Sequence, residues 1–181
     1  MLYPQMEILE TANCILRPIR LDDYKDLYEY YSIDKVVKFL PIRKHRSYLD
    51  TKKFIKTFFI SNYKKGNIGH YAIVFKSNNK VIGNVGFNNI SPNDKNGELG
   101  ICINSKYWGN NLSIELAEAL IEYGFNELNL DYIYAIAYDD NIYSKNVLVN
   151  LGFTHQKDFY KKFKNTGDKL IKCSKYILYK I

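Results

Sequence analysis

Two stretches of this chain carry residue types at spacings that could do chemistry. The first is KYWGNNLS, Lys106 to Ser113, which lies between an alternating apolar run and a long amphipathic one. A strand-to-helix turn of this kind leaves several backbone amides unpaired at the positive end of a helix dipole, which makes it an anion cradle. Trp108 precedes Gly109, which allows close approach; Asn110 and Asn111 tolerate left-handed backbone, Leu112 and Ser113 open the helix, and Lys106 adds charge. Neither a Gly-x-Gly-x-x-Gly fingerprint nor a Gly-Lys-Ser/Thr phosphate loop is present, and an ordinary strand-to-helix turn reads the same way. The second stretch is NIYSKNVLVNLGF, Asn141 to Phe153, where Asn141 can cap a helix and Ser144 stands one turn inside it.

Among the remaining reactive groups, Glu98 heads a strand and is either a solvated charge or a base. Cys102 alternates with Glu98 and Gly100, yet a buried strand cysteine is more often inert packing than a nucleophile. Cys14, Cys102 and Cys173 show no paired spacing, and His45, His70 and His155 no ligand spacing, so neither a disulfide framework nor a metal is expected.

The elements that must position these groups follow from periodicity. Asn13 to Arg20 reads as a strand, and Tyr24, Leu27, Tyr28 and Tyr31 recur at helical spacing. A short helical piece spans Asp34 to Leu40; Ser47 to Asp50 resembles a capping box opening a helix that presents Ile55, Phe58, Phe59 and Tyr63 to the core and stops at Gly66. His70 to Lys76 and Val81 to Phe87 form a hairpin across a polar turn. Glu98 to Asn104, the helix Leu112 to Leu128 and Asp131 to Tyr138 make a strand, helix, strand unit, which implies a parallel pair with a right-handed crossover. A second such link starts at Asn141 and leads to a strand from Phe153; Asn165 to Asp168 turn the chain into a last strand, Lys169 to Tyr179. An α/β (α+β) single domain over 13–181 is expected, behind an N-terminal extension 1–12, with about six to seven strands, about four helices and a mixed sheet.

Taken together, Tyr107-Trp108-Gly109 ahead of the main helix and Asn141, Ser144, Val147, Leu148, Leu151, Gly152 and Phe153 resemble the GNAT acetyltransferase superfamily, within it the ribosomal-protein N-terminal acetyltransferase branch. The opening ILRPIRLDD and the VIGNVGF hairpin are similar too, so the resemblance covers nearly the whole chain. It implies an acyl-CoA N-acyltransferase fold with acetyl-CoA between two splayed parallel strands, its pantetheine on backbone near Ile101, Cys102 and Ile103 and its pyrophosphate on amides of Gly109 to Ser113. It further implies that Asn141 holds the pantetheine from the far side and that Ser144 approaches the thioester sulfur as proton donor. Departures are Asn111 and Ser113 in place of small loop residues, Leu148 where many relatives have a tyrosine, and Gln156 where the branch often has a glutamate, leaving Glu98 as the remaining carboxylate.

The expected activity is therefore acetyl transfer from acetyl-CoA to a primary amine by direct attack, the acceptor being an α-amine of a peptide or protein N-terminus or a small low-pKa amine. A non-catalytic acyl-CoA sensor, or an acetyltransferase for a polyamine or antibiotic, are the alternatives. Composition narrows the partners. The 181 residues, 46% apolar and 25% charged, suit one globular domain, with no apolar run long enough for a membrane span and no basic-apolar leader at MLYPQMEILE. A net charge of +7 suits a phosphorylated cofactor, whereas no basic stripe interleaved with aromatics points to nucleic acid. A cytoplasmic monomer or homodimer without metal is expected.

Overall fold

The computed structural model describes residues 6–163 and 165–181, so the first five residues of the extension lie outside the described residues. Period-two runs give eight strands: β1 (Leu9–Glu10), β2 (Cys14–Pro18), β3 (His70–Phe75), β4 (Lys80–Ser91), β5 (Asn96–Ile103), β6 (Tyr132–Tyr138), β7 (Thr154–Lys162) and β8 (Leu170–Tyr179). They form one sheet in the order β1-β2-β3-β4-β5-β6-β8-β7. The only parallel hydrogen-bonded pair among the described strands is β5 with β6.

Six helical segments cover the sheet: α1 (Tyr24–Tyr31), α2 (Asp34–Val37), α3 (Tyr48–Phe54), α4 (Ser61–Lys64), α5 (Leu112–Asn126) and α6 (Ile142–Asn150). Helix α3 opens at Ser47, whose side chain accepts from the Asp50 amide while Asp50 accepts from the Ser47 amide, the reciprocal capping box. It runs through a π-helical stretch, Ile55–Ile60, into α4, and Gly66 at φ 75° ends the rod. On one face of the sheet α5 buries Leu112, Leu116, Leu120 and Tyr123 against Val85, Phe87, Leu99 and Ile133. On the other, Leu27, Tyr30, Tyr31, Ile55 and Phe59 pack with Ala72 and Cys102. The parity of β5 thus sends Leu99, Ile101 and Ile103 toward α5 and Cys102 toward α1.

Several expectations need correction. There is one strand beyond the anticipated six to seven and more helical segments than about four, because β1 pairs in the extension (Leu9 opposite Leu16) and the α3 rod is interrupted. The buried face of α1 is Leu27, Tyr30 and Tyr31; Tyr28 and Tyr24 remain half-exposed and pack edge-on against Tyr48. Strands β6 and β7 run in the same direction but are not neighbours, since β8 is inserted between them and pairs antiparallel with both. Strand β4 runs beyond the expected end at Phe87 to Ser91, and β5 starts at Asn96, ahead of Glu98.

Candidate functional site

The sheet opens between β5 and β6. Their parallel pairing covers only Asn96 with Tyr132, Gly97 with Ile133 and Glu98 with Tyr134, although β5 continues to Ile103 and β6 to Tyr138. Past Glu98 the two strands diverge, leaving a row of unpaired backbone along β5. Which groups face that gap follows from the ladder on the other side: Asn104 donates its amide to the Ile82 carbonyl in line with β4, and direction alternates along a strand. The amides and carbonyls of Leu99, Ile101 and Ile103 therefore face the opening, while those of Cys102 face β4. Of the trio expected to contact a ligand, Ile101 and Ile103 point their backbone into the gap and Cys102 does not. Trp108 Nε1 donates to the Ile103 carbonyl at 2.8 Å and so closes the outer end of the row.

That outer end meets the turn expected to cradle an anion. Gly109 sits at φ 86° and Asn111 at φ 56°, conformations that Gly and Asn adopt at least cost. Asn111 is the N-cap of α5, but its side chain makes no cap bond, and the first helical bonds run from Ile114 and Glu115 to the Asn111 carbonyl. Five successive amides, Gly109, Asn110, Asn111, Leu112 and Ser113, have no hydrogen-bond acceptor among the described residues. They gather at the positive end of a fifteen-residue helix, beside a hollow lined by Asn13, Phe75 and Gly109 to Leu112. Glu115, the acid of the first turn, accepts from the Asn13 amide and side chain at 2.8 and 2.7 Å.

Helix α6 forms the second wall. Asn141 caps it by accepting from the Ser144 amide at 3.2 Å, and the Ser144 hydroxyl, half-buried, makes no hydrogen bond to a described residue. Tyr143 reaches across and donates its hydroxyl to Ser113 Oγ at 3.2 Å, joining the two helix starts. Leu148 is buried in the core beneath, and Gln156 is exposed on β7.

Glu98 lies at the vertex of the opening, opposite a bulge the sequence reading passed over. Phe87 pairs with Leu99 and Ile90 with Gly97, so Asn88 and Asn89 together oppose Glu98. Both side-chain amides turn onto it: Asn88 Nδ2 donates to Oε1 at 3.0 Å and Asn89 Nδ2 to Oε2 at 3.1 Å. The signal available in the sequence was the Asn-Asn pair interrupting the alternation between Phe87 and Ile90. These asparagines also line a cleft with Asn62, Lys65 and Asn67. On the same sheet face Tyr134 and Tyr138 alternate outward from the buried Ile133, Ala135 and Ala137; burial pushes both phenols up to about 12. The Tyr138 hydroxyl is buried with no hydrogen-bond partner among the described residues, its ring against Phe39 and Phe163. Burial likewise pushes the Cys102 thiol up to about 12, which leaves it protonated at neutral pH and unsuited to nucleophilic attack. No cluster of metal-ligating side chains occurs among the described residues.

The sequence and the fold that hold this arrangement have counterparts among known proteins. The model of the acetyltransferase (GNAT) domain matches residues 13–154. This chain belongs to the GNAT acetyltransferase family. A GNAT relative, the N-acetyltransferase p20 of Bacillus licheniformis, is 31% identical over 149 residues, covering 82% of this chain and 83% of that one. Among solved GNAT structures, the ribosomal-protein-S5-alanine acetyltransferase of Vibrio fischeri aligns with a TM-score of 0.80 at 21% identity over 96% of this chain and 97% of its own. RimL, a ribosomal L7/L12 α-N-protein acetyltransferase in complex with coenzyme A, aligns with a TM-score of 0.83 at 18% identity over 96% and 98%. At those identities the structural likeness is one of fold. No described helix of this GNAT chain is long and apolar enough to cross a membrane.

Proposed function

We propose that this enzyme transfers the acetyl group of acetyl-CoA to an α-amine at a peptide or protein N-terminus, or to a comparably weak amine base, in the cytoplasm. The observation that carries the reading is continuity: one unpaired backbone edge runs from five free amides at the start of α5 to a carboxylate held at the vertex of β5 and β6. The residues present fit the cofactor. Leu99, Ile101 and Ile103 offer donors and acceptors to a pantetheine lying as an added strand, and Gly109 to Ser113 offer amides to its pyrophosphate. Acetyl-CoA, when bound, supplies an activated thioester.

The chain's own groups divide the remaining work. Glu98, with each oxygen already accepting one amide hydrogen, takes the proton from the acceptor's ammonium and so frees the nitrogen lone pair that attacks the thioester carbonyl. Backbone amides of Ile101 or Ile103 donate to the carbonyl oxygen as it gains charge. Ser144, whose amide is tied down by Asn141 while its hydroxyl stays unengaged, donates a hydrogen bond to the departing sulfur and relays to it the proton that the newly bonded nitrogen loses, so the serine ends protonated; the thiolate resembles that of cysteine, of pKa about 8.5, and leaves without a stronger acid.

An α-amine has a pKa of ~7.7–8.0 and a lysine ~10.4, so raising lysine to the same neutral population needs ~3.5 kcal/mol more at 1.36 per unit. A site with one half-exposed carboxylate is better matched to the weaker base. Competition between a peptide with a free N-terminus and blocked lysines and one with the reverse, across pH 6.5–9, tests this. Faster acetylation of the N-terminal peptide near pH 7 is expected; faster acetylation of the lysine peptide would refute it.

A further inference from the structure

Behind Glu98 a chain of hydrogen bonds crosses the sheet to helix α1, and every member is oriented. Tyr30 and Tyr31 both donate their hydroxyls to Asn84 Oδ1, at 3.0 and 2.7 Å. With its oxygen so used, Asn84 points its Nδ2 amide at His70 Nδ1, 2.9 Å away. A ring nitrogen that accepts carries no proton, so the His70 hydrogen is on Nε2, which lies 2.8 Å from Asn88 Oδ1 and donates to it. Asn88 then has only its NH2 group to offer Glu98. Were the Asn88 amide reversed, its oxygen would face a carboxylate oxygen at 3.0 Å, and the imidazole proton prevents that reversal.

The chain is built rather than incidental. His70 is 6% exposed, with the Phe58 and Phe59 rings at 5.9 and 5.8 Å, and Asn84 is 3% exposed. A side chain at Gly100 would meet Asn88 Nδ2 at 2.8 Å, so the glycine is what leaves the amide its place. Burial also draws the His70 imidazole down to about 4, which keeps it neutral at pH 7, and its two hydrogen-bond partners then fix the tautomer.

We propose that His70 is a positioning residue that acts through Asn88 to hold Glu98 in one orientation, and that it couples this orientation to Tyr30 and Tyr31 of α1. The inference rests on the reading of Glu98 as the base. The network is invisible to a search for reactive motifs, because none of its members except Glu98 touches reacting atoms and Asn84 is fourteen residues from His70.

The test is a double-mutant cycle in steady-state kinetics, with acetyl-CoA saturating and an α-amine peptide varied. His70→Leu is expected to lower kcat roughly ten- to a hundredfold, the scale of a ~1 Å misplacement of a catalytic group, with the directly measured acetyl-CoA affinity unchanged. In a Glu98→Gln background the same substitution should have no further effect. Asn88→Ala, at an exposed position, runs the same cycle should His70→Leu fail to fold. A loss that adds in full to that of Glu98→Gln would overturn the positioning role alone; wild-type rates in Glu98→Gln would instead overturn the base reading beneath it. Nitrogen NMR of the imidazole provides a readout apart from activity. A protonated Nε2 with bare Nδ1 at pH 7 is expected, and the reverse tautomer would overturn the network itself.

Discussion

Asn111→Asp should raise the dissociation constant of acetyl-CoA about fourfold to fivefold at physiological salt without weakening the fold. Position 111 has φ 56°, which aspartate tolerates much as asparagine does, and its exposed side chain makes no cap bond that the change would remove. A carboxylate at the start of α5 interacts favourably with the helix dipole, by ~0.3–1 kcal/mol, so stability should hold or rise. The ligand sees the opposite sign. Two ionised pyrophosphate oxygens at ~5 Å in a water-exposed site repel one added charge by about 1.7 kcal/mol before screening. A Debye length of ~8 Å at 0.15 M salt reduces this to about 0.9 kcal/mol, and ~3 Å at 1 M reduces it to about 0.3, less than twofold. Calorimetric titration of wild type and variant at both salt concentrations, with urea unfolding in parallel, reads all three numbers. Unchanged affinity at 0.15 M, or a loss that persists undiminished at 1 M, would show that the Gly109–Ser113 amides are not where the pyrophosphate rests.

Ser144→Ala should lower kcat more than it changes the dissociation constant of acetyl-CoA, because a donor to the departing sulfur acts in the transition state; a fall confined to affinity, measured by titration, would reassign Ser144 to binding. Asn141→Ala removes the side-chain cap of α6 and should cost ~1 kcal/mol in urea unfolding as well as weaken acetyl-CoA binding, whereas loss of one without the other would separate capping from ligand contact. Stability should also fall with acid through His70. Its native pKa near 4 lies below the unfolded value near 6.5, so the unfolded chain binds the proton first, and about 2 kcal/mol is lost between pH 7 and pH 5. Measured by urea unfolding at the two pH values, the slope should fall by about that amount in His70→Gln, leaving the part due to His45, whose burial also draws its imidazole down; an identical slope in the variant would place the titration elsewhere.

Local patterns in the chain were enough to place most elements. The strand-helix-strand unit from Glu98 to Tyr138, the Ser47 to Asp50 capping box and the Asn141 cap are short-range features, set by alternation and by side chains bonding backbone three residues away, and such features can be read where they stand. The cradle was legible for the same reason, since Gly109 and Asn111 announce positive φ wherever they occur in a strand-to-helix turn. What the sequence could not express is pairing at a distance. Nothing local says that β8 enters between β6 and β7, because a strand's choice of neighbour depends on which edge remains unfilled once the rest has packed. Nor does periodicity tell Tyr30 from Tyr28 on a helix rich in tyrosines; Tyr30 is buried because its hydroxyl meets Asn84, fifty-four residues on. The opening beyond Glu98 and the bulge that aims Asn88 and Asn89 at it exist only where three strands diverge and slip register, and only there does a buried histidine become part of the site. Contacts within a turn are dictated by neighbours along the chain, whereas the orientation of Glu98 is dictated by β3, β4 and α1 through hydrogen bonds that form only after the sheet has closed around them.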